Sequence, residues 1–229
     1  MRTIDLGLIP YRDAWQRQEE LHAEVLAGGE EALLLLEHPP VITFGRRTAD
    51  AQKNLLTPPE QLARLGVEVV ESDRGGDITY HGPGQLVAYP IVRLNGHGLS
   101  VGAYVRRLED VVIATLAGYG VRAFKDETAI GVWVEREGPG FGVRDLEEEL
   151  GTGGGSAKIC ALGVRIKRGV SMHGVALNLR TDLGHFGLIN PCGLGRPVTS
   201  MERLLGSAAP AMGDLKAAFA RQFASRFVG

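Results

Sequence analysis

Twelve residues, Arg74-Gly75-Gly76-Asp77-Ile78-Thr79-Tyr80-His81-Gly82-Pro83-Gly84-Gln85, constrain this chain more than any other stretch. They bring one cation, one imidazole, one amide and four glycines together between two apolar, strand-like flanks, Val67-Glu68-Val69-Val70 and Leu86-Val87-Ala88-Tyr89-Pro90-Ile91. Glycine loses more conformational entropy on folding than any other residue. A cluster of it between strands therefore marks backbone with positive φ or a close approach to something bound. The run reads as a loop that faces a substrate.

Around this loop the hydrophobic pattern predicts a mixed fold. A helix over residues 13–27 is signalled by Asp13 as its cap, by Ala14, Leu21 and Val25 on one face, and by Gly28-Gly29 as its stop. Ala32-Leu33-Leu34-Leu35-Leu36 is continuously apolar and short, as a strand buried on both faces is. Val41-Ile42-Thr43-Phe44 resumes extended structure after His38-Pro39-Pro40, and a second helix is expected near Pro59–Leu65. Ser100 caps a helix with Val101, Tyr104, Val105, Leu108, Val112 and Leu116 on its apolar face. Ala129–Val134 reads as a strand, and residues 135–156, acidic and then glycine-rich, read as a mobile surface insertion. Ala157–Ile166 and Val170–Leu179 form a hairpin turning at Arg168-Gly169. Residues 180–199 are irregular, and Asp214 caps a last helix carrying Leu215, Phe219 and Phe223. Strands outnumber helices and hairpins mix with helices, so the fold class is α+β. No repeat or linker divides the 229 residues, and one domain is expected.

Charge and composition narrow the function. A formal net charge of -2 supplies no electrostatic pull toward nucleic acid or a membrane surface. No apolar leader opens the chain and no segment is long enough to span a bilayer, so the cytoplasm is the expected compartment. The six histidines lack zinc-type spacing, and two cysteines outside a Cys-x-x-Cys motif make no disulfide framework, so no metal is expected.

Those two cysteines differ in setting. Cys160 lies inside an apolar run, where free cysteine acts as a small hydrophobe. Cys192 lies in Asn190-Pro191-Cys192-Gly193-Leu194-Gly195, where proline excludes regular structure and glycine lets a partner approach the sulfur. It is a candidate nucleophile. A thiol with a pKa of about 8.5 needs a neighbouring cation to become thiolate at neutral pH. Lys158 opens an apolar strand and on strict alternation shares a face with Cys160, Leu162, Val164 and Ile166. It is either solvated at the sheet end or paired. His81 and His173 each adjoin a glycine and read as structural hydrogen-bonding groups or as catalysts. Arg74 either holds an anionic or carbonyl group or anchors its loop. Gly153-Gly154-Gly155-Ser156-Ala157-Lys158 lacks the Gly-Lys-Ser/Thr ending of a phosphate loop and precedes a strand, so it is not read as one.

Four ordered motifs give the chain a family likeness. Leu35-Leu36-Glu37-His38-Pro39-Pro40-Val41-Ile42-Thr43-Phe44-Gly45-Arg46, the Arg74–Gln85 run, Lys158-Ile159-Cys160-Ala161-Leu162-Gly163-Val164-Arg165 with Met172-His173-Gly174-Val175-Ala176-Leu177-Asn178, and Asn190-Pro191-Cys192-Gly193 resemble the lipoyl(octanoyl) transferases along nearly the whole chain. The resemblance implies the fold of biotin and lipoate protein ligases and a catalytic pair, Cys192 as nucleophile and Lys158 lowering its pKa. It implies an acyl pocket lined by Arg74, Gly75, Gly76, Asp77, Ile78, Thr79, Tyr80 and His81, by Ala161, Leu162 and Gly163, and by Gly174, Val175 and Ala176. No cofactor is implied. The donor it implies is octanoyl-acyl carrier protein. The acceptors are lipoyl domains of 2-oxoacid dehydrogenase complexes and the glycine cleavage H protein. Cys160 stands where the family usually has a small apolar residue, and the insertion near 137–156 is longer than the family's. An ATP-dependent lipoate or biotin ligase on the same fold, and a non-catalytic acyl-carrier or lipoyl-domain binding module, are the competing readings.

Overall fold

The computed structural model describes residues 1–46, 52–135, 155–190 and 196–227. In chain order the strands and helices are β1 (Arg2–Leu8), α1 (Tyr11–Leu26), β2 (Ala32–Glu37), β3 (Val41–Phe44), α2 (Pro59–Arg64), β4 (Glu68–Glu71), β5 (Ile78–His81), β6 (Gln85–Ile91), α3 (Val101–Ala117), β7 (Phe124–Lys125), β8 (Val132–Glu135), β9 (Ser156–Lys167), β10 (Val170–Asn178), α4 (Met201–Leu205) and α5 (Met212–Phe227). Seven strands form one mixed sheet in the order β1-β2-β6-β10-β9-β8-β7, and β4-β3-β5 form a smaller one. The α+β expectation holds.

The continuous apolar runs are explained by a sheet covered on both faces. In β2, β6 and β10, Leu33, Leu35, Leu86, Ala88, Val175 and Leu177 point to a core shared with α3 and α5. Their neighbours Leu34, Leu36, Val87, Tyr89, Met172 and Ala176 point the other way, into a core shared with Ala14, Leu21 and Val25 of α1. Side chains alternate along a strand, so only a strand apolar at every position can fill both cores. The small sheet has a third core of Ile42, Phe44, Ile78, Tyr80 and Leu62, closed by Phe186 and Ile189.

Several local expectations change. The run Arg74–Gln85 is not all loop: Ile78–His81 is a strand, pairing antiparallel with Val41–Phe44. Its alternating Ile78 and Tyr80 complete the third core, which periodicity over four residues could not reveal among glycines. Pro10 rather than Asp13 stands at the N-terminus of α1, its carbonyl accepting from Ala14 N–H, and Asp13 lies in the first turn. Asp214 likewise sits inside the first turn of α5. Proline's fixed φ starts a helix without a side-chain cap. Ser100 does cap α3, accepting from Ala103 N–H at 3.2 Å. Leu183–Leu188, in the stretch read as irregular, is a 3₁₀ helix. The ends of the expected insertion are strand: Glu135 pairs with Ser156, which makes β8 and β9 a hairpin. Residues 136–154, the body of that insertion and the subject of the mobility expectation, lie outside the described residues. Among the described residues, no helix is long and apolar enough to cross a membrane.

Candidate active site

The two sheets meet where the glycine-rich run crosses the β9–β10 hairpin. Gly75 N–H donates to Val164 O at 2.9 Å. A Cβ on Gly163 would lie 2.7 Å from Gly75 O, and one on Gly75 would lie 2.9 Å from Val164 O. Backbone therefore touches backbone, and a side chain at either position would separate the sheets. Arg74, buried, secures the crossing: Nε donates to Thr43 Oγ1 at 3.0 Å, one terminal nitrogen to Thr43 O at 2.6 Å, the other to Gly75 O at 3.0 Å. These bonds anchor the loop, and Arg74 also lines the cavity.

Beneath the crossing lies a cavity of about 580 Å³. Arg74, Gly75, Gly76, Asp77, Ile78, Thr79 and His81 line it from the small sheet, and Ala161, Leu162, Gly163, Gly174, Val175 and Ala176 from the large one, with Lys158 on β9. Tyr80 does not line it: its ring packs in the third core against His185 and Phe186. Val101 and Ile130, about half exposed, form the mouth. Cys192 lies outside the described residues. The chain on either side of it is held. Asn190 N–H donates to Asn54 O at 2.7 Å, Lys158 N–H donates to Pro197 O at 2.9 Å, and Thr199 N–H donates to Lys158 O at 2.9 Å.

Three buried histidines, His38, His81 and His173, cluster with Tyr11 beside the cavity. His38 Nδ1 donates to Ile9 O at 2.8 Å, leaving Nε2 to accept from Tyr89 hydroxyl at 2.9 Å. His81 Nδ1 donates to Gln85 Oε1 at 2.7 Å, Gln85 Nε2 donates to Asn178 Oδ1 at 2.9 Å, and Asn178 Nδ2 donates to Thr199 O at 3.0 Å. His173 Nε2 donates to Asp73 Oδ1 at 2.7 Å, and Asp73 also pairs with Arg165. Burial disfavours charge on all three rings. It lowers His38 to about 4 and, helped by the Arg74 and Arg165 charges, His173 to about 3. Burial, with His38 and Arg74 nearby, holds His81 well below the ordinary imidazole value. His173 has φ +56, rare for a non-glycine residue in a strand. Its backbone N–H donates to Gln18 Oε1 at 2.6 Å, and its ring stacks on Tyr11.

Cys160 is fully buried, and burial pushes its thiol far above the ordinary value. A thiol held neutral is a poor nucleophile. Among the described residues no cluster of histidine, cysteine and carboxylate side chains could hold a metal ion. Tyr11, Gln85, Tyr89 and Asn178 line the cavity without having been singled out as site residues. Gln85 and Asn178 end recognised motifs, which was a usable signal. Tyr11 begins a helix, and nothing local marks it.

The cavity is walled largely by small and apolar residues, with Arg74, Asp77 and Lys158 among its lining. Comparisons with known proteins place the chain in a family. Residues 10–224 match the lipoyl protein ligase A/B catalytic domain. An octanoyltransferase of Chloroflexus aurantiacus is 47% identical over 221 residues, which cover 94% of this chain and 90% of that protein. One of Bacteroides fragilis is 44% identical over 211 residues, covering 89% and 88%. The chain belongs to the octanoyltransferases of the lipoyl protein ligase A/B family. Octanoyltransferases of this kind share their fold with ligases. A lipoate-protein ligase A bound with ATP superposes with TM-score 0.69 at 13% identity, over 98% of this chain and 84% of that one. A biotin protein ligase of Aquifex aeolicus in complex with biotin and ATP gives 0.51 at 8% identity, over 99% and 70%. The biotin and lipoate ligase fold expected from the motifs is the fold of this octanoyltransferase family member.

Proposed function

We propose that this chain, as a single catalytic domain, transfers an octanoyl group from octanoyl-acyl carrier protein to the ε-amine of a lysine on a lipoyl domain. Lipoyl domains of 2-oxoacid dehydrogenase complexes and the glycine cleavage H protein are the acceptors. The Cys192 thiolate attacks the donor thioester, the carrier thiol leaves with a proton, and an acyl-enzyme thioester forms. The acceptor amine then attacks that carbonyl. A C–N bond forms, the bond to Cys192 sulfur breaks, and the amine proton passes to the departing thiolate. Lys158 stabilises the thiolate and relays these protons. Thioester to amide runs downhill, so no ATP is consumed.

One observation carries the reading: Lys158 lines a small-residue cavity and is hydrogen-bonded through its backbone to the segment that follows the Pro-Cys-Gly motif. Each buried CH₂ of the acyl chain contributes about 0.8 kcal/mol, so the cavity binds an octanoyl chain without a charged contact.

The test is intact mass after incubation with octanoyl-acyl carrier protein and no ATP. The wild type and Cys160→Ser gain one octanoyl group, and Cys192→Ser gains none. An ATP-dependent ligase is the second reading, favoured by the fold shared with an ATP-bound ligase. Transfer that requires ATP, with no adduct on any variant, would establish that reading instead.

A further inference from the structure

Three imidazoles cluster around Tyr11, and they differ in what their nitrogens do. His38 has both engaged, with Ile9 O and the Tyr89 hydroxyl. His173 has Nε2 on Asp73 and Nδ1 facing the Tyr11 hydroxyl at 3.5 Å. His81 lines the cavity, and among the described residues only its Nδ1 is hydrogen-bonded, to Gln85 Oε1 at 2.7 Å. We propose that Gln85 and Asn178 are positioning residues that fix His81 as the Nδ1–H tautomer, and that its unprotonated Nε2 then accepts a hydrogen bond from the attacking lysine amine of the lipoyl domain.

The tautomer follows from two backbone carbonyls. Thr199 O only accepts, so the Asn178 group 3.0 Å from it is the NH₂, and Asn178 Oδ1 faces Gln85. Tyr80 O also only accepts, so Gln85 presents its NH₂ to Tyr80 O at 3.3 Å and to Asn178 Oδ1 at 2.9 Å. Gln85 Oε1 is left facing His81 Nδ1, which must carry the proton. Burial, with His38 and Arg74 nearby, keeps the ring neutral, and a neutral ring with its proton on Nδ1 has a lone pair on Nε2. His81, Gln85, Asn178 and Thr199 are all buried, so solvent does not compete for these bonds. The ring plane is held as well: Tyr11 stacks on it with centroids 6.0 Å apart, and His38 meets it edge-on at 5.6 Å.

The chemistry names the partner. An alkyl chain offers Nε2 no donor, and a buried acceptor left without one is costly. The reacting amine supplies an N–H. A carboxylate in this place would hold the amine as an ammonium, which cannot attack. A neutral imidazole accepts one N–H and leaves the amine lone pair free to be aimed at the carbonyl. No proton moves to His81; the amine proton still passes to the departing thiolate through Lys158. The far end of the relay lies on the strand that carries Lys158, because Thr199 N–H donates to Lys158 O at 2.9 Å. One set of bonds therefore sets His81 relative to that strand.

The proposal rests on the octanoyl-transfer reading for the identity of the amine, while the tautomer is decided separately. Protein carrying isotope-labelled histidine is read by long-range proton–nitrogen NMR, the His81 signals being those missing from the His81 variants. In wild type, Nδ1 bears the proton and Nε2 is bare. In Gln85→Leu, Nε2 gains the proton or the two tautomers mix. For transfer, acylation by octanoyl-acyl carrier protein and aminolysis of the isolated octanoyl-enzyme by a lipoyl domain are timed in separate single turnovers. The ratio of the aminolysis rate to the acylation rate falls about tenfold in His81→Phe and in Gln85→Leu, the scale of one hydrogen bond. His81→Gln, whose amide oxygen again offers an acceptor, recovers part of that loss. A cavity that is merely loosened slows both steps alike and leaves the ratio unchanged. A proton on Nε2 in wild type, or an unchanged ratio in His81→Phe, overturns the proposal. Wild-type protein that forms no octanoyl-enzyme overturns the transfer reading and the amine contact with it, while the spectrum still decides the relay. Should Gln85→Leu fail to fold, the wild-type spectrum and His81→Phe decide.

Discussion

His38, His81 and His173 show how burial fixes chemistry at single positions. Each ring takes a proton far less readily than an ordinary imidazole, with burial the leading cause. In the unfolded chain each titrates near 6.5. Below that pH the unfolded state binds more protons than the folded one, so stability falls as pH falls. The loss continues until the folded values, about 4 for His38 and about 3 for His173, are reached. The slope is about 1.4 kcal/mol per pH unit for each histidine. The melting temperature should therefore drop steeply between pH 6.5 and 5, and more shallowly in His38→Gln. A flat profile over that range would mean that the rings are solvated. At this scale the sequence marked His81 and His173 as special through their neighbouring glycines. It could not separate a catalyst from a structural group, because that distinction lies in the partners Gln85, Asp73 and Tyr11 brought from elsewhere in the chain.

Elements were legible where the apolar pattern was long. The β9–β10 hairpin turns where the sequence places it, at Arg168 (φ +52) and Gly169 (φ +81). Two positive φ values favour Asn-Gly at such a turn, and Arg168 is exposed. Arg168→Asn should stabilise the protein by about 0.5–1 kcal/mol, read as a rise in the denaturant midpoint at constant slope. Gly163→Ala is expected to act in the opposite sense. Its methyl carbon would sit 2.7 Å from Gly75 O, and overpacking of this kind costs about 1–3 kcal/mol. Acyl-enzyme formation should suffer as well, because the run that lines the cavity is pushed off β9. Wild-type stability and wild-type acylation in this variant would show that the crossing yields. Short elements were less legible. The Ile78–His81 strand has too few residues to display a period, and its partner Val41–Phe44 defines it; β1, seven residues long, pairs with Ala32–Glu37.

For the molecule as a whole, the order of strands matters more than their identities. The sheet order β6-β10-β9-β8 brings the Lys158 strand beside both the small-residue strand β10 and the Trp133 strand. Glu135 pairs directly with Ser156, so β8 and β9 are joined as hairpin partners at the two ends of residues 136–154. Replacing 137–154 by a short glycine-containing turn should leave the fold intact, with a melting temperature within a few degrees of wild type, because loop length enters only as a slowly growing closure entropy, about 0.6 kcal/mol per doubling. Loss of the folded state on excision would assign the segment a structural role.

The sequence by itself determined the α+β class, the buried strands, the α3 cap and the four motifs that mark the family. These depend on local periodicity, on proline and glycine, and on residue types in order, all of which are written in the chain. Only the tertiary structure decided that Arg74 anchors its loop to Thr43, that Tyr80 packs in a core, and that Lys158 and Arg196 both lie against Trp133. Each of those facts is a contact between residues far apart in sequence. Which of two alternating faces becomes the wall of a cavity is settled when the two sheets pack, not by either strand alone.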